Sequence, residues 1–226
     1  MASRAAIFDL DGTLVDSGAL HHRSWRRLCA ELGRPLMTDA EFKACFGHAN
    51  ATIVPELLGR APVDDEVVRC SERKEAIYRE LAGRELTLFP GARELLLDLR
   101  AAGWGIAIGS STPRSNLDFL VPHLGLDELV QVTVGMEDVA RHKPFPDVFA
   151  ECARRLGAAP ARSLVFEDAP AGVAAGLAAG MTVVALLTHH PASSLTGAVT
   201  YVQGLWEVSA ADCARWLGSE ECHVCL

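Results

Sequence analysis

Asp9 and Asp11 are the residues of this chain best placed to do chemistry, two positions apart in Asp9-Leu10-Asp11-Gly12-Thr13. They follow an apolar run, Ala5-Ala6-Ile7-Phe8, that reads as a strand. Side chains alternate along a strand, so at its end both carboxylates lean to one side and Leu10 to the other. Acids held that close repel each other, at a cost in free energy unless one is protonated or a cation lies between them. Gly12 permits a tight bend that a Cβ would resist. Taken alone, the segment also reads as a turn rich in Asp and Gly.

Three later segments change that balance. Ile106-Ala107-Ile108-Gly109-Ser110-Ser111-Thr112 is an apolar strand ending in hydroxyls. Thr112-Pro113 then predicts a helix start, with Thr as N-cap and Pro at the first helical position. Arg141-His142-Lys143-Pro144-Phe145-Pro146-Asp147 places a cation in a proline-flanked loop, and Leu164-Val165-Phe166-Glu167-Asp168 is a strand ending in two adjacent acids. In open parallel sheets ligands bind beyond the carboxyl ends of the strands. All four segments deliver polar groups to that one edge.

In this order the segments resemble the haloacid dehalogenase superfamily, over nearly the whole chain. They point to the branch with a small helical cap inserted after the first motif, which includes β-phosphoglucomutase and many sugar-phosphate phosphatases. The resemblance implies that Asp9 attacks phosphorus and forms an aspartyl-phosphate, while Asp11 protonates the leaving oxygen and then activates water. It implies that Ser110 holds phosphoryl oxygens and Lys143 neutralises charge. It also implies a Mg²⁺ bound by the Asp9 carboxylate, the Asp11 backbone carbonyl and Asp168, with Glu167 directly or through water. Dehalogenases of the superfamily lack the second acid, so Asp11 argues for phosphate chemistry.

The physics favours the same roles. Phosphate monoesters hydrolyse so slowly that enzymes can accelerate the step by up to roughly 10²¹-fold. The obstacle is an anionic phosphoryl group repelling an anionic nucleophile, so positioning and neutralisation carry the catalysis. A hard divalent ion with oxygen ligands meets that need. A carboxylate nucleophile splits one hard step into two easier ones.

These residues need a sheet to hold them. Apolar runs predict strands near Arg4–Asp9, Trp104–Gly109, Val130–Val134, Ser163–Glu167 and Thr182–Leu187, with an edge strand at Val199–Gln203. Helices alternate with them near Ala92–Ala102, Pro113–Val121, Pro146–Leu156, Ala171–Ala179 and Leu205–Leu217. That alternation implies an α/β fold with a Rossmann-like parallel sheet. Residues 1–15 and 89–226 form this catalytic core in the reading, and residues 16–88 an inserted, all-helical cap. Helices there are expected near Gly18–Leu32, Asp39–Cys45, Ala51–Leu58 and Asp64–Leu81, the last with three acids in its opening turn.

The insert is where substrate identity should be written. His21, Trp25, Leu28 and Leu32 share one helical face, and Val67, Cys70, Lys74, Ile77 and Leu81 another. Each stripe carries one titratable side chain among apolar ones. A core histidine and a snorkelling lysine are the plain alternatives. The resemblance matches His21 and Lys74 to substrate-contacting cap positions, with Trp25 and Tyr78 keeping the flanking spacing. It implies that His21 hydrogen-bonds near Asp11 and that Lys74 meets a substrate oxygen. The mutase grips a second phosphate with a cap arginine shortly after a glycine. Here Phe46-Gly47-His48-Ala49-Asn50 keeps the glycine as Gly47 but offers Asn50 at the arginine's place. Gly47, Asn50 and Ser111 complete the expected substrate-binding set.

The expected activity is therefore a Mg²⁺-dependent phosphatase for a small phosphorylated metabolite, foremost a sugar phosphate. A phosphosugar mutase is the enzymatic alternative, and a phospho-accepting receiver domain the alternative from another class. Receivers are about half this length and lack a helical lid.

Composition is consistent with this. The chain has 226 residues, half of them hydrophobic, and a formal net charge of −8. Such a chain buries a sizeable core and is a poor nucleic-acid binder. It contains no uncharged apolar run of about 18 residues to cross a membrane. The first strand begins so early that no signal peptide is expected. Seven scattered cysteines fit a reducing cytosol, and a cytoplasmic monomer is expected. Cys222 and Cys225 have C-x-x-C spacing without the second pair that would complete a zinc site.

Overall fold

The computed structural model describes residues 4–45 and 50–218. The expected site residue Gly47 and the Cys222/Cys225 pair lie outside these. The chain divides into two compact units, Ser17–Leu86 and a second that joins Met1–Asp16 to Thr87–Leu226.

Ser17–Leu86 is helical: α1 (Gly18–Glu31), α2 (Asp39–Cys45), α3 (Asn50–Leu58) and α4 (Glu66–Glu85). Trp25, Leu28 and Cys29 of α1 pack with Ile53, Val54 and Leu58 of α3 and with Cys70 and Ile77 of α4. Both apolar stripes expected from periodicity thus face this core, with one correction. Helix α1 stops at Glu31, and Leu32 is exposed beyond it. Gly33, at φ +63°, takes the left-handed position that ends the helix. Helix α4 also differs from expectation, beginning at Glu66 and continuing through Gly83 to Glu85. Asp64 and Asp65 therefore precede the helix, and Glu66 in its first turn pairs with Arg60 at 2.7 Å.

Across the outer faces of α1 and α4 run paired charges: Arg23 with Glu85 at 2.5 Å, Arg27 with Glu80 at 2.6 Å, and Glu31 with Arg73 at 2.7 Å. All are substantially exposed, so solvent screening leaves each with little to contribute. Burial of Trp25 outweighs any one of them.

In the other unit, β1 (Ala5–Phe8), β2 (Gly105–Gly109), β3 (Val132–Val134), β4 (Ser163–Glu167), β5 (Thr182–Leu186) and β6 (Thr200–Val202) form one sheet. Its order is β3-β2-β1-β4-β5-β6, with every neighbouring pair parallel. Every residue of β1, β2, β4 and β5 is buried. That pattern requires cover on both faces, as parallel sheets have. Helices α5 (Ala92–Ala101), α6 (Arg114–His123), α7 (Asp147–Leu156), α8 (Pro170–Ala178) and α9 (Ala210–Gly218) complete the unit. Val148, Phe149, Cys152 and Ala153 of α7 pack with Ile7, Ala107 and Val165 of the central strands. The fold is the Rossmann-like α/β architecture expected.

The expected last helix, Leu205–Leu217, is instead two pieces: a 3₁₀ turn at Leu205–Glu207 and α9. Ser209 and Asp212 explain the break. The Ser209 amide donates to Asp212 Oδ2 at 3.0 Å and the Asp212 amide to Ser209 Oγ at 3.2 Å, a capping box that starts a fresh helix. No helix among the described residues is long and apolar enough to cross a membrane.

Trp25→Ala is expected to destabilise the helical unit by about 3–5 kcal/mol, against at most about 1 kcal/mol for Arg27→Ala. Urea denaturation followed by circular dichroism reads both, and equal losses would show that the charge pairs carry the packing.

Candidate active site

The parallel register brings the chemistry together. Phe8 lies level with both Ile108 and Phe166, so Asp9, Gly109 and Glu167 reach the carboxyl edge side by side. The Asp9 amide donates to the Phe166 carbonyl at 3.0 Å, extending the ladder by one step. Ser110 follows β2 and Asp168 follows β4. Lys143, in the loop before α7, reaches the same place from more than a hundred residues away.

Lys143 Nζ donates to Asp9 Oδ1 at 2.5 Å and to Glu167 Oε1 at 2.6 Å. The other Glu167 oxygen accepts the amides of Asp168 and Ala169, each at 2.9 Å. Asp9, Glu167 and Asp168 each present an oxygen within 4.8 Å of the other two, and all three are buried. Three buried carboxylates against one ammonium leave negative charge in excess.

The titration behaviour follows from that crowding. Burial pushes the Asp9 carboxyl well above its usual range; Lys143 opposes the shift, while Glu167, Asp11 and Asp168 add to it. Burial alone would lower Lys143, but Asp9 and Glu167 outweigh it and hold the ammonium above its ordinary value. The remaining repulsion can be relieved by a proton or by a cation. Three oxygen donors at this spacing suit a hard divalent ion such as Mg²⁺.

Two glycines let the carboxylates approach. Gly12 adopts φ +92°, and a Cβ there would stand 2.3 Å from Asp168 Oδ2. A Cβ on Gly172, in the first turn of α8, would stand 1.7 Å from Glu167 Oε1. Glu167 cannot swing aside cheaply, because Lys143 and two amides pin it.

Thr112 corrects one expectation. Pro113, not Thr112, is the N-cap residue of α6, and no side chain caps the helix there. The Thr112 hydroxyl instead donates to Asp11 Oδ2 at 2.6 Å. The Glu137 carboxylate takes over at the helix start, accepting the Arg114 amide at 2.7 Å. Ser110 is buried, its Oγ accepting the Thr112 amide at 3.1 Å, whereas Ser111 is exposed.

Within the helical unit, the buried Lys74 Nζ lies 2.8 Å from His21 Nδ1 and donates to Glu75 Oε1 at 2.8 Å. Asn50 Nδ2 donates to the same Glu75 oxygen at 2.8 Å. The His21 ring stacks on Tyr78 with centroids 3.9 Å apart. Glu75 is buried, which alone would raise its carboxyl, yet Lys74, His21 and Asn50 hold it below the ordinary range. His21, Lys74 and Asn50 thus belong to one polar cluster centred on an acid that the stripe pattern did not single out.

Residues 6–186 match the family model of the haloacid dehalogenase-like hydrolases. The chain belongs to this family. It is 33% identical over 210 residues to a validoxylamine A 7'-phosphate phosphatase of Streptomyces hygroscopicus subsp. limoneus, covering 91% of this chain and 95% of that protein. It is 32% identical over 183 residues to the fructose-1-phosphate phosphatase YqaB of Escherichia coli strain K12, covering 79% and 93% respectively. Among solved structures, CbbY from Rhodobacter sphaeroides in complex with phosphate superposes with a TM-score of 0.81 at 25% identity, covering 92% of this chain and 96% of that one.

In this haloacid dehalogenase-like hydrolase, sequence reasoning missed two further residues at the sheet edge. Thr188 Oγ1 donates to the Gly12 carbonyl at 2.7 Å. His189 Nδ1 lies 3.0 Å from Asp168 Oδ2, and that hydrogen bond foremost raises the imidazole's affinity for a proton. The available signal was positional: Thr188 and His189 follow β5, a fourth parallel strand ending at the same edge.

Gly172→Ala is expected to cost about 1–3 kcal/mol, as overpacking against a pinned group does. Thermal denaturation reads it, and a midpoint equal to wild type would contradict the packing assigned to Glu167.

Proposed function

We propose that this hydrolase is a Mg²⁺-dependent phosphatase of small phosphorylated metabolites, sugar phosphates foremost, working through an aspartyl-phosphate on Asp9. The observation that carries this reading is the buried triad of Asp9, Glu167 and Asp168 with Lys143 bound to two of its members. The names of the two phosphatase relatives support the substrate class.

Asp9 and Asp168, with the Asp11 backbone carbonyl, would hold the metal. Glu167 already accepts from Lys143 and two amides, which favours a share for it through water. When bound, the ion supplies neutralisation of the phosphoryl oxygens. Lys143 adds a fixed positive charge beside Asp9, and Ser110 donates its hydroxyl to a phosphoryl oxygen. An Asp9 oxygen attacks phosphorus as the bond to the sugar oxygen breaks, and Asp11 gives that oxygen a proton. The free alcohol leaves. Asp11, now a carboxylate, takes a proton from water whose oxygen attacks phosphorus, releasing phosphate and restoring Asp9. Thr112 fixes Asp11 by Oδ2, which assigns the travelling proton to Oδ1.

The helical unit acts in this reading as a cap that selects substrate through His21, Gly47, Asn50 and Lys74, with Ser111 contributing from the core. Asn50 stands where the mutase-type cap has an arginine for a second phosphate, so water intercepts the phosphoenzyme and hydrolysis wins over transfer.

Assay of a panel of sugar phosphates for phosphate release with Mg²⁺ tests the activity, and silence across the panel would overturn it. Asp9→Asn is expected to abolish turnover while leaving the fold intact, as circular dichroism would read. Asp11→Asn should lower kcat by about 10²- to 10⁴-fold, the span of a lost general acid–base. Lys74→Ala should weaken discrimination among sugar phosphates more than hydrolysis of a small generic ester; equal losses on both would remove Lys74 from substrate selection.

A further inference from the structure

We propose that His189 is a positioning residue that holds the Asp168 carboxylate in place to receive the metal. The proposal rests on the metal reading above and concerns a residue to which that reading gives no role.

Asp168 sits at the end of β4 with Asp9 and Glu167 as neighbours, and their negative charge drives its carboxylate away from the common centre. Two features oppose that movement. The Gly12 backbone closes one side, since even a Cβ there would come within 2.3 Å of Asp168 Oδ2. His189 Nδ1 grips the same oxygen at 3.0 Å. An ionised carboxylate only accepts hydrogen bonds, so His189 carries its proton on Nδ1 and donates it. The ring is itself held. Its Nε2 faces Asp16 Oδ1 at 3.7 Å, and its chain neighbour Thr188 is tied to the Gly12 carbonyl at 2.7 Å. The Asp16 contact is exposed and weak; the Thr188 bond is the firmer anchor. A donor fixed on one oxygen of a ligating carboxylate sets its orientation, and loss of such outer partners typically weakens metal binding by about 10- to 100-fold.

Isothermal calorimetry of MgCl₂ into the chelator-treated full chain tests this on four proteins: wild type, His189→Ala, His189→Phe and His189→Asn. Alanine and phenylalanine lack the donor, phenylalanine keeping a ring. Both should bind Mg²⁺ at least about tenfold more weakly than wild type. Asparagine places an N–H near the position of Nδ1 and should restore most of the affinity. Wild-type affinity in a folded donorless variant would overturn the proposal, and so would an asparagine variant as weak as alanine. A wild-type protein that binds no Mg²⁺ would sink the metal reading itself, and this role with it.

Discussion

The site depends on one contact, the Lys143 ammonium shared between Asp9 and Glu167. At 2.5 and 2.6 Å, with little solvent to screen it, this contact sets a buried positive charge between two of the acids at the sheet edge. It is also insufficient, because Asp168 and Asp11 add negative charge that one lysine cannot balance. Removing one partner of such a buried pair strands the other at a cost of about 3–5 kcal/mol. The surrounding structure keeps the acids crowded nonetheless. Gly12 and Gly172 omit the Cβ atoms that would hold carboxylates apart, and the amides of Asp168 and Ala169 fix Glu167. This much like charge held in one buried place suits the cation and the phosphoryl group of the proposed reaction.

The parallel sheet makes the crowding possible. Strands β1, β2 and β4 lie side by side in register, so positions 9, 109 and 167 come level despite their separation in the chain, with Ser110 one residue beyond. Lys143 arrives from the loop before α7, whose apolar face packs beneath the central strands. The helical unit has a core of its own around Trp25, Ile53 and Ile77. Its polar cluster at Lys74 and Glu75 can therefore vary without disturbing the sheet edge, which suits the proposed division between chemistry and substrate selection.

Much of this was legible in the residues themselves. Strand ends carrying Asp9, Ser110 and Glu167 announce themselves by apolar runs that stop in polar groups, and helical periodicity located Trp25, Cys70, Lys74 and Ile77. What escaped was settled by tertiary contacts or by competing local signals. Thr112 has good N-cap chemistry, but a nearby Asp11 carboxylate claimed its hydroxyl. Glu75 sits one residue off the apolar stripe, so periodicity passes over it, and only the fold joins it to Asn50. His189 lies in an irregular loop, marked only by its place after β5 and by no motif of its own. The break before α9 was present in Ser209 and Asp212, masked by the apolar residues on either side.

The central claim, that three buried carboxylates are held together for a cation, is tested most directly by thermal unfolding of wild type and Asp168→Asn with and without Mg²⁺. The account predicts that Mg²⁺ raises the wild-type midpoint and leaves the variant unmoved. It also predicts that the metal-free variant is at least as stable as metal-free wild type, because one repelling charge has gone. A wild-type protein indifferent to Mg²⁺, or a variant that gains as much from it, would contradict the account.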